Sequence, residues 1–220
     1  MGAITVLPSL LSADFTRLGD EIARCEAAGA RRLHVDVMDG HFVPNLTIGP
    51  FIVEAMRRCT KLPLDVHLMI TDPVRYARDY RNAGADAITI HVEAVGPRDM
   101  SKAIEAVRAT GAQVGLAFNP DTDPALWFAH LALVDLAMFM TVYPGFGGQP
   151  FIPQVRPRVR ATRAAFPRLA IQVDGGINRE TVPQVIADGA DRLVTGNAFF
   201  KDPDPAGFLR WAESSPRTLP

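Results

Sequence analysis

Short runs rich in Val, Ile and Leu alternate with longer helical patterns along this chain, at intervals of roughly 20 to 35 residues. The runs predict eight strands: Ile4 to Pro8, Arg32 to Val37, Leu64 to Leu68, Ala87 to His91, Gln113 to Phe118, Val134 to Met140, Ala170 to Asp174 and Arg192 to Thr195. Between and after them the pattern predicts helices over Asp14 to Ala28, Phe51 to Cys59, Val74 to Ala83, Asp99 to Thr110, Pro124 to Ala129, Gln154 to Phe166, Arg179 to Asp188 and Ala206 to Trp211. Four stretches, AAGARRLHV, NAGADAITI, ATGAQVGLA and ADGADRLVT, place a Gly after a helix and just before a strand. Such a Gly suits the left-handed residue that ends a helix, so these stretches read as repeated βα units.

Eight such units predict a single-domain α/β fold, a (β/α)8 TIM barrel over residues 1–220, at the lean end of that architecture's size. The alternative is an open doubly wound sheet, but the loop after the first predicted strand reads PSLLSADF and lacks that fold's glycine-rich turn. With 48% hydrophobic and 21% charged residues the chain supports one sizeable core and does not resemble a disordered one. A net charge of −1 gives no pull toward nucleic acid or an anionic membrane, while leaving room for a small anionic substrate. Cys25 and Cys59 lie in helical segments without metal-ribbon spacing and read as buried thiols of a reducing compartment. With no basic leader and no apolar run of membrane length, a soluble cytoplasmic protein is expected.

Four metal-capable side chains sit at the predicted C-terminal ends of three strands: His34 and Asp36, then His67, then Asp174. Strand residues alternate faces, so His34 and Asp36 point the same way, and ligands from two further strands can close a site around one ion. In a barrel this end carries the catalytic groups. Two imidazoles and two carboxylates suit one divalent ion such as Zn, Fe(II), Mn or Co, and the aspartates can also move protons. His91 ends a strand too, but with no such partners in the pattern it reads as structural or as support for the ligands.

Glycines supply a second signal. YPGFGGQPF, DGGI and TGN follow the sixth, seventh and eighth predicted strands and would expose backbone N–H groups to a phosphate. Met38, Met69 and Met140 fall on the same face as the candidate ligands and would form a dry wall beside them. The arginines of PQVRPRVRATRAAF fit the solvated face of a helix, and Trp127 and Phe128 fit either core or an interface.

HVDVMDGHFVPN, DVHLM, HVEA, MTVYPGFGGQPFIP and VDGGI together resemble the ribulose-phosphate 3-epimerase family, from PSLLSADF to TGNAFF, nearly the whole chain. The resemblance implies a (β/α)8 barrel that interconverts ribulose 5-phosphate and xylulose 5-phosphate in the pentose phosphate pathway, through an enediolate stabilised by the metal. It implies that His34, Asp36, His67 and Asp174 hold the metal, that Asp36 and Asp174 form the catalytic acid/base pair, and that no organic cofactor is used. Substrate contacts would come from Ser9, His67, Gly145, Phe146, Gly147, Gly148, Asp174, Gly175, Gly176, Gly196 and Asn197, with Met38, Met69 and Met140. A homo-oligomer, dimer or hexamer, is also implied.

Two positions depart from the family pattern: Tyr143 stands where Asn is usual, and Asn197 where Ser is common. Tyr143 could alter the loop or the sugar pocket, so allulose-6-phosphate 3-epimerase, with the same chemistry on a hexulose, is the nearest alternative. Schiff-base aldolases and lysine-dependent decarboxylases are disfavoured, because none of Lys61, Lys102 and Lys201 ends a predicted strand. Retention of both histidines and both aspartates disfavours a non-catalytic sugar-phosphate-binding protein.

Overall fold

The computed structural model describes residues 3–217, so the outermost ends of the expected 1–220 domain lie outside the described residues. Its eight strands are β1 (Thr5–Pro8), β2 (Leu33–Met38), β3 (Leu64–Met69), β4 (Ala87–His91), β5 (Gln113–Phe118), β6 (Leu136–Met140), β7 (Ala170–Asp174) and β8 (Arg192–Thr195). They form one sheet in the order β1-β8-β7-β6-β5-β4-β3-β2, with every neighbouring pair parallel. Between β2 and β1 the circle closes through a bridge at Ser9 and His34. The fold is a (β/α)8 barrel.

The helices are α1 (Leu18–Ala27), α2 (Pro50–Cys59), α3 (Pro73–Asn82), α4 (Val92–Val95), α5 (Met100–Arg108), α6 (Phe128–Leu131), α7 (Arg156–Ala165), α8 (Val182–Ala187), α9 (Asn197–Phe200) and α10 (Pro205–Glu213). Prolines open α2, α3 and α10, where a missing N–H costs nothing, and the Asp72 and Asp204 carboxylates cap α3 and α10. The four glycines expected between helix and strand, Gly29, Gly84, Gly111 and Gly189, all have φ between +88° and +113°. That conformation is costly for any residue with a Cβ, which is why glycine recurs there.

Strand alternation separates two cores. Val35, Val37, Val66, Leu68, Ile88, Ile90, Val173 and Leu193 face the helix ring and belong to the large apolar core. Their neighbours His34, Asp36, Met38, Asp65, His67, Met69, Gln172 and Asp174 face the barrel interior. Cross-strand register stacks that interior in pairs: His34 beside Asp65, Asp36 beside His67, Met38 beside Met69, Met138 beside Gln172 and Met140 beside Asp174.

Several sequence expectations shift. Asp14 to Ala28 splits into a 3-10 turn at Phe15–Arg17 and α1; Pro124 to Ala129 likewise becomes a 3-10 turn at Pro124–Trp127 followed by α6. Arg179 to Asp188 begins as a turn, because the Asn178 side chain accepts the Glu180 and Thr181 N–H groups and α8 starts only at Val182. Cys59 is exposed, since it is the last residue of α2 and lies past the buried Val53 and Met56. The arginines of α7 are not a freely solvated face. Arg156 and Arg160 pair with buried Asp188, and Arg163 is buried against Asp191 and the Gly189 carbonyl. Trp127 is core, and Phe128 packs edge-on against Phe166 with ring centroids 5.1 Å apart.

Candidate active site

The C-terminal mouth of the barrel opens into a cavity of about 250 Å³. Asp36, Asp174 and Ser9 lie on its wall, together with Met38, Met69 and Met140. On the side of the loops after β6, β7 and β8 it is lined by Gly145, Phe146, Gly147, Gly148, Gly175, Gly176, Gly196 and Asn197. His34 and His67 are fully buried just behind the aspartates.

One donor atom from each of His34, Asp36, His67 and Asp174 falls in a group in which all lie within 4.8 Å of one another. His34 Nε2 is 3.2 Å from Asp36 Oδ1 and 3.8 Å from Asp174 Oδ2. His67 Nδ1 is 3.3 Å from Asp36 Oδ1 and 3.8 Å from Asp174 Oδ2. Nitrogen and oxygen ligands about 2 Å from one ion lie roughly 3.3 Å apart at tetrahedral angles, so the spacing fits a shared divalent cation. His34 Nε2 is also fully buried without a hydrogen-bond partner, a costly state that coordination would relieve. The four residues therefore could hold a metal ion.

The ligand set is braced from below. Asp65 Oδ2 accepts from His34 Nδ1 at 2.8 Å and from Gln172 Nε2 at 2.8 Å, which leaves His34 Nε2 to face the cluster. Sequence reasoning missed Asp65 and Gln172, although each stands two residues before a named residue, His67 and Asp174, and so on the same strand face. Ser9 Oγ donates to Asp36 Oδ2 at 2.6 Å and turns the other oxygen, Oδ1, toward the two histidines. The His91 ring stacks on His67 with centroids 4.9 Å apart.

Electrostatics drive the two aspartates apart. Burial and the neighbouring Asp36 charge push Asp174 up to about 7. Burial also opposes ionisation of Asp36, but the nearby His34, followed by His67, overcomes it and holds Asp36 below the usual carboxylate range. His34 is raised well above an ordinary imidazole, because Asp36 and Asp65 outweigh its burial. Burial lowers His67 to about 4, against its close contact with the Asp36 carboxylate and with a contribution from His91.

The glycine loops are tightly built. Gly175 and Gly176 have φ of +109° and +65°, and a Cβ on Gly176 would come within 2.8 Å of the Phe151 backbone. Gln149 Nε2 donates to the Tyr143 and Phe146 carbonyls at 2.7 and 2.8 Å, and Asn45 donates to the Gly145 carbonyl at 2.6 Å, fixing the loop after β6. Ser12 and Asn178, which sequence reasoning did not name, also line the cavity. Tyr143 does not line it. Tyr143 is 52% exposed and its hydroxyl donates to Asp121 Oδ2 at 2.7 Å, so of the loop and the sugar pocket it could alter, it sits on the loop.

Residues 5–200 match the model of the ribulose-phosphate 3 epimerase family. The chain is 47% identical over 207 residues to the ribulose-phosphate 3-epimerase of Bacillus subtilis (strain 168), covering 91% of this chain and 94% of that protein. It is 45% identical over 221 residues to the ribulose-phosphate 3-epimerase of Synechocystis sp., covering 99% and 96%. The chloroplastic ribulose-5-phosphate-3-epimerase of Arabidopsis thaliana is 40% identical, with 97% and 78% covered. Among solved structures, KGPDC from Streptococcus mutans superposes with a TM-score of 0.71 at 15% identity over 96% of each chain, a likeness of fold alone. With its barrel, its glycine loops and relatives at this identity over nearly its full length, the chain belongs to the ribulose-phosphate 3-epimerase family.

Proposed function

We propose that this protein is a metal-dependent isomerase that inverts C3 of D-ribulose 5-phosphate to give D-xylulose 5-phosphate, with Asp36 and Asp174 as its proton-transferring pair. The observation that carries the reading is the pairing of two carboxylates, from β2 and β7, on one cavity with opposite tendencies to hold a proton. Inverting a carbon next to a ketone requires one group to take its proton from one face and another to return a proton to the opposite face, through an enediolate. Asp36, kept charged by the histidines and oriented by Ser9, enters as base, and Asp174 enters as acid; the reverse reaction exchanges their roles.

A divalent ion held by His34, Asp36, His67 and Asp174 would supply Lewis-acid charge against the negative charge that develops on the substrate oxygens, and Zn, Fe(II), Mn or Co suits this mixed ligand set. On the far side, the backbone N–H groups around Gly147, Gly148, Gly175, Gly176, Gly196 and Asn197 bind the phosphate, with Gly145 and Phe146 completing the loop over the sugar. Binding energy gained there, away from the reacting carbon, holds C3 between the two carboxylates. Met38, Met69 and Met140 keep water from the reacting carbon and strengthen the local electrostatics. Family resemblance supports extending the reading to a single-domain, cytoplasmic homo-oligomer, a dimer or hexamer. Among the described residues, no helix is long and apolar enough to cross a membrane.

Steady-state turnover on both ketose phosphates tests the substrate. With the family's pentulose as substrate, kcat/KM exceeds that for allulose 6-phosphate by at least about tenfold, the order one extra carbon unit provides in a fitted pocket. Preference for the hexulose overturns the assignment.

Metal binding should depend on pH. Asp174, raised to about 7, ligates more strongly once ionised, so Zn²⁺ uptake below that pH favours loss of its proton. Each displaced proton makes the affinity rise by about tenfold per pH unit. Asp174's contribution levels off above pH 7, while the raised His34 contributes a second proton. Competition with a chromophoric chelator between about pH 5.5 and 8 measures the slope, and a flat profile contradicts the elevated Asp174.

A further inference from the structure

Beyond the four candidate ligands lies a chain of ring contacts with no assigned role. His67 Nε2, the nitrogen turned away from the cluster, is 2.8 Å from His91 Nε2. His91 Nδ1 is in turn 3.0 Å from Glu93 Oε2. The other oxygen of Glu93, Oε1, accepts the Asn119 backbone N–H at 2.8 Å and the Thr122 hydroxyl. The Phe42 ring packs on His91 with centroids 4.9 Å apart and helps hold that ring in place.

We propose that His91 and Glu93 are positioning residues that fix the tautomer of His67 and so present its Nδ1 lone pair to the metal. The inference rests on the metal-site reading above and concerns this chain's own hydrogens. An ionised carboxylate only accepts, so His91 Nδ1 carries the proton it donates to Glu93. A neutral His91 then has a lone pair on Nε2, which accepts from His67 Nε2–H. His67 is left with its lone pair on Nδ1, 3.3 Å from Asp36 Oδ1, an approach that a cation shared between the two makes favourable. The opposite sequence of donors would set the His91 Nδ1 lone pair against the Glu93 carboxylate at 3.0 Å. His34 obeys the same logic in one step, since Asp65 takes its Nδ1–H and leaves Nε2 for the ion. Direct support in one case and an intervening imidazole in the other account for the two histidines presenting different ring nitrogens.

The amide of Gln separates this role from simple packing. In Glu93→Gln the single side-chain oxygen is claimed by the Asn119 N–H and Thr122, so the NH₂ group faces His91 Nδ1. That group donates, His91 becomes the donor at Nε2, and His67 is driven to the Nδ1–H form, which cannot ligate. In Glu93→Ala, water can take the Glu93 position and either tautomer is available.

The experiment is a Zn²⁺ competition titration of the full-length metal-stripped protein and its variants at one pH, with ring ¹⁵N spectra to assign tautomers and thermal unfolding to verify folding. The isosteric Glu93→Gln is expected to lose about 100-fold in Zn²⁺ affinity and Glu93→Ala about 10-fold, within the span seen when such support is removed. The spectra are expected to place the proton of His67 on Nε2 in the Zn²⁺-loaded wild type and on Nδ1 in Glu93→Gln. A purely structural Glu93 gives the reverse ranking, with the isosteric variant milder, and that result overturns the proposal. Wild-type affinity in both folded variants overturns it too. Failure of the metal reading is distinguishable, because it would appear in the wild type as Zn²⁺ binding unaffected by His34→Ala, and the tautomer proposal would fall with it.

Discussion

Replacing Asp36 or Asp174 with Asn lowers kcat for ribulose 5-phosphate epimerisation by about 10²- to 10⁴-fold, the range expected when a positioned proton-transfer group is lost. Asn keeps the size of the side chain and can neither take up nor deliver the proton. Because both aspartates also belong to the candidate ligand set, metal content has to be measured in each variant and turnover compared at equal loading. The second readout is exchange of the C3 hydrogen with solvent deuterium. With one carboxylate gone, the remaining one can still remove the proton from the face it addresses but cannot complete the inversion. Each variant is therefore expected to exchange C3 hydrogen from only one epimer, and the two variants to choose opposite epimers. Near-full epimerisation by folded, metal-loaded Asn variants refutes the two-carboxylate assignment.

Phe139→Ala is expected to cost about 3–5 kcal/mol of folding stability, the range for truncating a fully buried aromatic ring. Phe139 on β6 stacks on Phe118 of β5, with ring centroids 5.5 Å apart and planes 22° from parallel, and both are almost fully buried on the helix side of the sheet. The two residues are in register as neighbours, so the truncation opens space between two strands and the helices outside them. For a chain of this size the loss corresponds to a fall in unfolding midpoint of roughly 6–20 °C. The inward residues beside Phe139 are Met138 and Met140, so the catalytic face keeps its own contacts. Activity per folded molecule should stay close to wild type while the thermal midpoint drops; an unchanged midpoint would mean the site collapses around the missing ring.

The eight strands were legible because each is a short apolar run set off by turn residues, and the repeated glycine marked where one unit passes to the next. Two four-residue helices were not: α4 and α9 are too short to complete a periodic pattern, and both arise from the way the chain turns off β4 and β8. The candidate ligands could be read from alternation alone, since His34, Asp36, His67 and Asp174 all fall on the inward face of their strands. Asp65 and Gln172 carried the same signal and were not named. Glu93 stood within the HVEA motif but without a role, because its contact with His91 is made after the strand has ended and the chain has begun to coil. The direction of Tyr143 was not legible for a related reason. A departure within a motif tells which loop changes but not which way a side chain turns, and here the turn is set by Asp121, 22 residues earlier.

The closing bridge between Ser9 and His34 also bears on how the protein reaches its working form. β1 pairs with β8, Thr5 beside Arg192, so the first strand finds its partner only after nearly the whole chain has been made. Such distant pairings pay their loop-closure entropy before any contact rewards it, and they form late. An intermediate with β2 and β3 in place would own His34, Asp36 and His67 but lack both Asp174 and the Ser9 hydroxyl. Turnover during refolding would then lag behind the recovery of helical signal, and the first appearance of activity would time the moment at which the ring of strands shuts.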